Sequence, residues 1–218
     1  MATPQWVRFS PIPRTIAEIL KDDLAGIFEA FSFRLWVINE LGFKTHSQVF
    51  GDIDAPFIEC DDIQRALEIS RTWKGVAMTF VVEAIWHNIT LNLWREKETT
   101  VICLYIAREI MWYSSDEYKQ GEWLLKFLLQ FTSALKADCC GYGRDLDYDV
   151  IYKPLDPARV LSRLRDGSLF HIDSPVIHAI ATRLIPSNEI NDLIRKHGTR
   201  PGFQYRESTA GYHVLWNF

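Results

Sequence analysis

The sequence predicts an α+β fold, a single domain over residues 1–218 with helices packed on a largely antiparallel sheet. Three observations predict it. Between Val76 and Ala107, three stretches alternate in side-chain character with no helix between them, as a meander of antiparallel strands does. In the last of these, Val101, Cys103 and Tyr105 alternate with Ile102, Leu104 and Ile106; both faces are apolar, which places the strand in the middle of a sheet. Residues 121–137 then carry Trp123, Leu124, Leu125, Phe127, Leu128, Leu129, Phe131, Ala134 and Leu135. Only Glu122, Lys126, Gln130 and Ser133 fall on one exposed helical stripe. A helix that apolar is covered on most sides, so it packs on the sheet together with a helix over 15–31.

Taken in order, the chain opens with a short strand over 5–9, stopped by Pro11-Ile12-Pro13. Thr15 and Glu18 make a capping-box pair, and Ile16, Ile19, Leu20, Leu24, Ile27, Phe28 and Phe31 follow at helical spacing. The spacing continues through Leu35 and Ile38 to Leu41, with Gly42 as its stop. A bend near Ser32 fits the same residues, and periodicity does not choose between them. Residues 43–58 form a loop with Gly51, Asp52, Asp54 and Pro56. Asp61 and Gln64 are a second capping-box variant, opening a helix on Ile63, Ala66, Leu67, Ile69 and Trp73 that Gly75 ends. The β-branched run 76–86 is the first meander strand, His87-Asn88 a tight turn, and 89–94 the second strand. Arg95-Glu96-Lys97-Glu98 links it to the third.

Beyond the long helix, Gly141 and Gly143 loosen the chain ahead of an acidic strand at 145–150. Asp156 before Pro157 is an N-cap with proline at the first helical position; that helix holds Val160, Leu161 and Leu164 and ends at Gly167. Residues 169–172 and 176–185 read as strands. Ser187 caps a helix on Ile190, Leu193 and Ile194, with Lys196 and His197 in its last turn and Gly198 as its stop. Pro201-Gly202 turns the chain into a closing hairpin, 203–206 with 211–217.

Composition excludes several classes of function. A net charge of −4 provides no basic footprint for nucleic acid. No apolar run approaches the roughly 18 residues of a membrane span. The opening Met-Ala-Thr-Pro-Gln-Trp-Val-Arg has no apolar signal region, so the expected location is cytoplasmic. Cys60, Cys103, Cys139 and Cys140 show neither metal nor redox spacing and are expected to be reduced thiols.

Asp145-x-Asp147-x-Asp149 starts like a calcium loop, but the sixth position, which needs glycine, is Val150, and the twelfth, which needs glutamate, is Asp156. An edge strand with Leu146, Tyr148 and Val150 inward and three solvated aspartates explains it better. His46, His87, His171, His178, His197 and His213 include no helical metal pair, although His171 and His178 lie on or near strands that could meet. There is no Gly-x-Ser-x-Gly elbow and no phosphate-binding glycine loop. Gly141-Tyr142-Gly143 reads as a turn, and the vicinal Cys139-Cys140 has no adjoining base to activate it. No metal and no cofactor are expected.

Aromatic residues make up 13% of the chain. Trp94, Trp112, Tyr113, Tyr142 and Tyr148 fall at predicted strand ends or in loops beside charges, the setting of binding hot spots. Size, an aromatic-rich α+β make-up, missing catalytic motifs, and the passage Leu135-Lys-Ala-Asp-Cys-Cys-Gly-Tyr-Gly-Arg-Asp145 after a long apolar helix together resemble a known class. It is the small, acidic, cytoplasmic immunity proteins of polymorphic-toxin and type VI secretion systems. The resemblance implies a non-catalytic protein that binds a cognate toxin or effector and covers its active site. An acidic surface would suit the basic groove of a nuclease toxin. The contact residues expected are Asp145, Asp147 and Asp149, which share one side of a strand, with Tyr142 and Tyr148 as anchors. Asp52 and Asp54 extend the acidic set, joined by Asp61 and Asp62. Two other readings fit the same residues: a hydrolase or transferase with dispersed catalytic groups, or a structural or adaptor subunit that associates through its aromatic surface. A neighbouring toxin gene, a deep pocket of convergent groups, and a symmetric apolar interface would favour the three readings in turn.

Overall fold

A computed structural model describes residues 5–41, 58–59, 63–72, 75–82, 87–106, 115–143, 154–171, 176–198 and 201–217. Its strands are β1 (Gln5–Phe9), β2 (Arg34–Leu41), β3 (Ile58–Glu59), β4 (Gly75–Val82), β5 (His87–Glu96), β6 (Thr99–Ile106), β7 (Cys139–Gly143), β8 (Val176–Ala181), β9 (Phe203–Ser208) and β10 (Tyr212–Asn217). They form one ten-stranded sheet in the order β3-β2-β4-β5-β6-β1-β7-β8-β10-β9. Every pairing in it is antiparallel. The α+β fold with an antiparallel sheet is therefore observed. The opening strand lies near the middle of it: β1 sends Val7 and Phe9 into the main core and Trp6 to the opposite face.

After β1 the chain enters a helix at Thr15, whose hydroxyl accepts from the Glu18 amide while the Glu18 carboxylate accepts from the Thr15 amide. The predicted capping box is present. The helix starts as α1 (Ile16–Glu18), widens into a π-helical segment (Ile19–Leu24) and closes as α2 (Ala25–Ala30). It stops at Ser32, which takes a left-handed φ of 53°. Residues 34–41 are thus strand β2 rather than a continuation of the helix. Their apolar spacing suits both forms, and pairing with β4 decided between them.

The predicted meander is β4, β5 and β6, but its first turn lies elsewhere. His87 and Asn88 belong to β5, where they pair with Val82 and Val81. They are strand residues and not the tight turn that the sequence suggested. The second turn narrows to Lys97-Glu98 between Glu96 and Thr99, with Lys97 at a φ of 55°. Preceding this meander is α3 (Ile63–Thr72), with Ala66 and Leu67 buried. The long helix is α4 (Ser115–Leu135); Leu124, Phe127, Leu128 and Phe131 are buried, while Glu122, Lys126 and Gln130 are exposed as predicted. Its rings continue an aromatic stack in which Phe33 and Trp123 both lie against Phe127, and Phe131 against Phe9. Helices 16–30, α3 and α4 cover one face of the sheet.

The second half of the chain departs more from expectation. Gly141 and Gly143 do not loosen a loop: they are residues of β7, Gly141 held between β1 and β8 and Gly143 paired with β1. Next come α5 (Pro157–Arg165), capped by the Asp156 carboxylate as predicted, and α6 (Ser187–His197), ending at Gly198. Residues 169–172 were expected as a strand, but Ser168–His171 is a 3₁₀ turn, with Leu169 and Phe170 buried and Asp166 accepting from the Ser168 amide. Strand β8 ends at Ala181, short of the predicted 185. Ser187 is not the cap of α6. Pro186 holds that position, and the Ser187 hydroxyl donates to Glu207 on the neighbouring hairpin instead. The closing hairpin, β9 and β10, is present. These helices cover the other face of the sheet over β7, β8, β10 and β9, in a second, smaller core of Val160, Leu164, Phe170, Ile180, Ile190 and Leu215.

Candidate functional site

In antiparallel pairing, residues opposite each other share a face. One row of partners therefore crosses the sheet on the side away from α4: Asn92, Cys103, Arg8, Gly141, His178, Leu215 and Tyr205. The next row holds Thr79, Thr90, Tyr105, Trp6 and Gly143. In it the Thr79 and Thr90 hydroxyls lie 3.0 Å apart and the Trp6 and Tyr105 rings 4.7 Å apart. Arg8, Thr79, Thr90, Asn92 and Tyr105 are half-buried, and Trp6, Trp94, Val101 and Cys103 form a small cluster among them. This polar and aromatic band in mid-sheet is the candidate site.

Gly141 sits at its centre because something else occupies its side-chain space. A β-carbon there would meet His178 Nδ1 at 3.2 Å and Leu155 Cδ2 at 3.4 Å. The His178 imidazole leans across the glycine, and Leu155, whose amide donates to Phe9 O at 2.9 Å, closes over it. His178 is half-buried as a residue, yet both ring nitrogens are buried and, among the described residues, neither has a hydrogen-bond partner. Burial, with the charges of Arg163 and Arg8 nearby, lowers its pKa from 6.5 to about 3. Such an unpaired buried group is uncommon and costs stability.

The other reactive side chains are held differently. His213 Nε2 lies 2.9 Å from Ile185 O; since a carbonyl only accepts, Nε2 donates, and Nδ1 accepts from the Tyr205 hydroxyl at 3.1 Å. Cys139 and Cys140 are free, buried thiols on opposite faces of β7. Burial raises both, Cys140 to about 11 and Cys139 further, with help from Cys140 and Asp138. Cys103 is also a buried thiol, in no disulfide. Among the described residues no three His, Cys, Asp or Glu side chains gather where they could hold a metal ion.

The sequence-predicted contact residues fare unevenly. Asp145, Asp147, Asp149, Tyr148, Asp52 and Asp54 lie outside the described residues, as do Asp61, Asp62, Trp112 and Tyr113. Tyr142 is described, and it is not a surface anchor: it faces the main core and is 2% exposed. Trp94, expected at a strand end beside charges, is likewise buried. What sequence reading missed is the row of Arg8, Gly141 and His178. Its members come from three separated strands, and its one local signal was a glycine inside an otherwise apolar stretch.

These features define an α+β protein with an antiparallel sheet and a polar, aromatic band in the middle of one face. No described helix is long and apolar enough to cross a membrane. Comparison with protein families, with curated proteins and with solved structures returned no match.

Proposed function

We propose that this chain acts by binding another protein, without catalysis, and that its partner is a secreted toxin which it neutralises in the cytoplasm. The supporting observation is the state of its buried reactive groups. The Cys139 and Cys140 thiols are driven toward the protonated form and the His178 imidazole toward the neutral one. A general acid or base works best with a proton affinity near the working pH, and these groups are tuned away from it. A ten-stranded sheet with such an interior suits recognition. Asp145, Asp147 and Asp149, on a chain of net charge −4, supply the charge that steers a basic partner.

The test is co-expression with the product of an adjacent toxin-like gene, followed by association kinetics at two salt concentrations. The wild-type chain forms a complex that blocks the toxin. The triple replacement of Asp145, Asp147 and Asp149 by Asn slows association roughly tenfold at low salt and less at high salt. An unchanged rate and salt dependence would remove the acidic segment from the interface, and no complex at all would reject the immunity reading.

A further inference from the structure

We infer that residues 154–171 form an acid-released latch over His178: they lie down on the sheet while the imidazole is neutral and lift from it once the ring takes a proton. The argument starts from what surrounds the ring. Beneath it is Gly141 of β7, which has no side chain to offer. Beside it on β10 is Leu215. Leu155, Val160 and Leu164, from the segment above, pack in the small core on that same sheet face. Among the described residues, the charged groups on the packed elements are Arg8 on β1 and, on α5, Arg163, with Arg159 and Arg165 along the same helix and Asp156 as its cap. Cys139 and His213 share the sheet face one pleat repeat away; the thiol stays protonated, and the imidazole of His213 is engaged by Tyr205 and Ile185. No described group hydrogen-bonds to the His178 ring. Among the described residues a proton arriving there would meet two guanidinium charges and no acceptor, so water must relieve the added charge.

The segment is placed to admit that water by a local movement. His178 is half-buried as a residue, and a displacement of α5 would wet its nitrogens. The polar ties that hold it are the Leu155 amide on Phe9 O, the exposed Arg165–Glu189 ion pair and the His197 ring on the Arg165 carbonyl, beside the packing of Val160, Leu164, Leu169 and Phe170 and the contacts of the Phe170 ring with His197 and Phe203. The apolar contacts beneath it belong to the smaller of the two main cores, apart from the one that α4 anchors. Local openings of this kind need less free energy than global unfolding.

Amide hydrogen exchange on the full chain tests the latch, with rates corrected for the intrinsic effect of pH. Opening of the α5 amides is expected to rise about tenfold between about pH 7.5 and about pH 5.5, while α5 stays less protected than β5 and β6. In the His178→Leu variant that rise should vanish. A pH-independent α5, the same rise in the variant, or α5 amides that open only together with β5 and β6 would each overturn the latch. A second readout needs no variant: the His178 Cε1 proton in the NMR spectrum should hold its neutral position to about pH 5. A ring that titrates at its ordinary pH would overturn the inference.

Discussion

Gly75 begins β4 with no room for a β-carbon. One built there would lie 2.3 Å from Leu93 O and 2.9 Å from Trp94 Cα, both backbone atoms that cannot swing aside. Gly75→Ala is therefore expected to lower unfolding stability by about 1–3 kcal/mol in a urea titration, with an unchanged slope. The sequence marked this glycine as a helix stop; the close approach of β5 is its structural reason. Cys139 and Cys140 make a second residue-scale case. Their burial keeps the thiolate, the nucleophilic form, scarce. A thiol reagent should label both at least about a hundredfold more slowly in the native chain than in denaturant. Fast native labelling would show that β7 is open to solvent.

At the scale of elements, caps and ties join what the strands leave separate. Arg14 Nη1 donates to Asp23 Oδ1 at 2.6 Å and Nη2 to Leu135 O at 2.8 Å, so one side chain links the π-helical turn to the last residue of α4. The wider π turn carries Asp23 and, with it, three buried apolar residues, Ile19, Leu20 and Leu24. Arg14→Met would leave the largely buried Asp23 carboxylate without this cation and should cost about 1–3 kcal/mol. A double-mutant cycle with Asp23→Asn would measure the coupling. On the other face, Asp156 caps α5 through the Ala158 amide at 3.0 Å. Asp156→Ala should lower stability by about 1 kcal/mol and Asp156→Asn by much less, as thermal unfolding would show.

For the whole molecule, His178 makes stability depend on pH. Its folded pKa, about 3, lies below the ordinary 6.5, so under acid conditions the unfolded chain binds a proton that the folded chain refuses. Above that ordinary value the group makes no difference. Below it, stability falls by up to about 1.4 kcal/mol per pH unit, and the loss ends near the folded value. Urea unfolding between neutral pH and about pH 5 should show this slope in the wild-type chain and a flatter one in His178→Leu. Equal slopes would mean that other groups carry the acid response.

The sequence by itself determined the elements whose reasons are local. The Thr15–Glu18 box, the Asp156-Pro157 start, the Gly198 stop and the exposed stripe of α4 depend on neighbours within a turn or two of helix, and each is where the residues placed it. The α+β class and the β4–β6 meander were legible for the same reason, because alternation is written residue by residue. Tertiary structure decided the rest. Residues 34–41 and 141–143 became strands because partners from elsewhere in the chain pair with them. Tyr142 turned inward because the pleat of β7 sends alternate residues to opposite faces, and the face it received is the main core. The row from Arg8 through Gly141 to His178 exists only once β1, β7 and β8 lie side by side. Strand order is set by long-range pairing and burial, which no local pattern records.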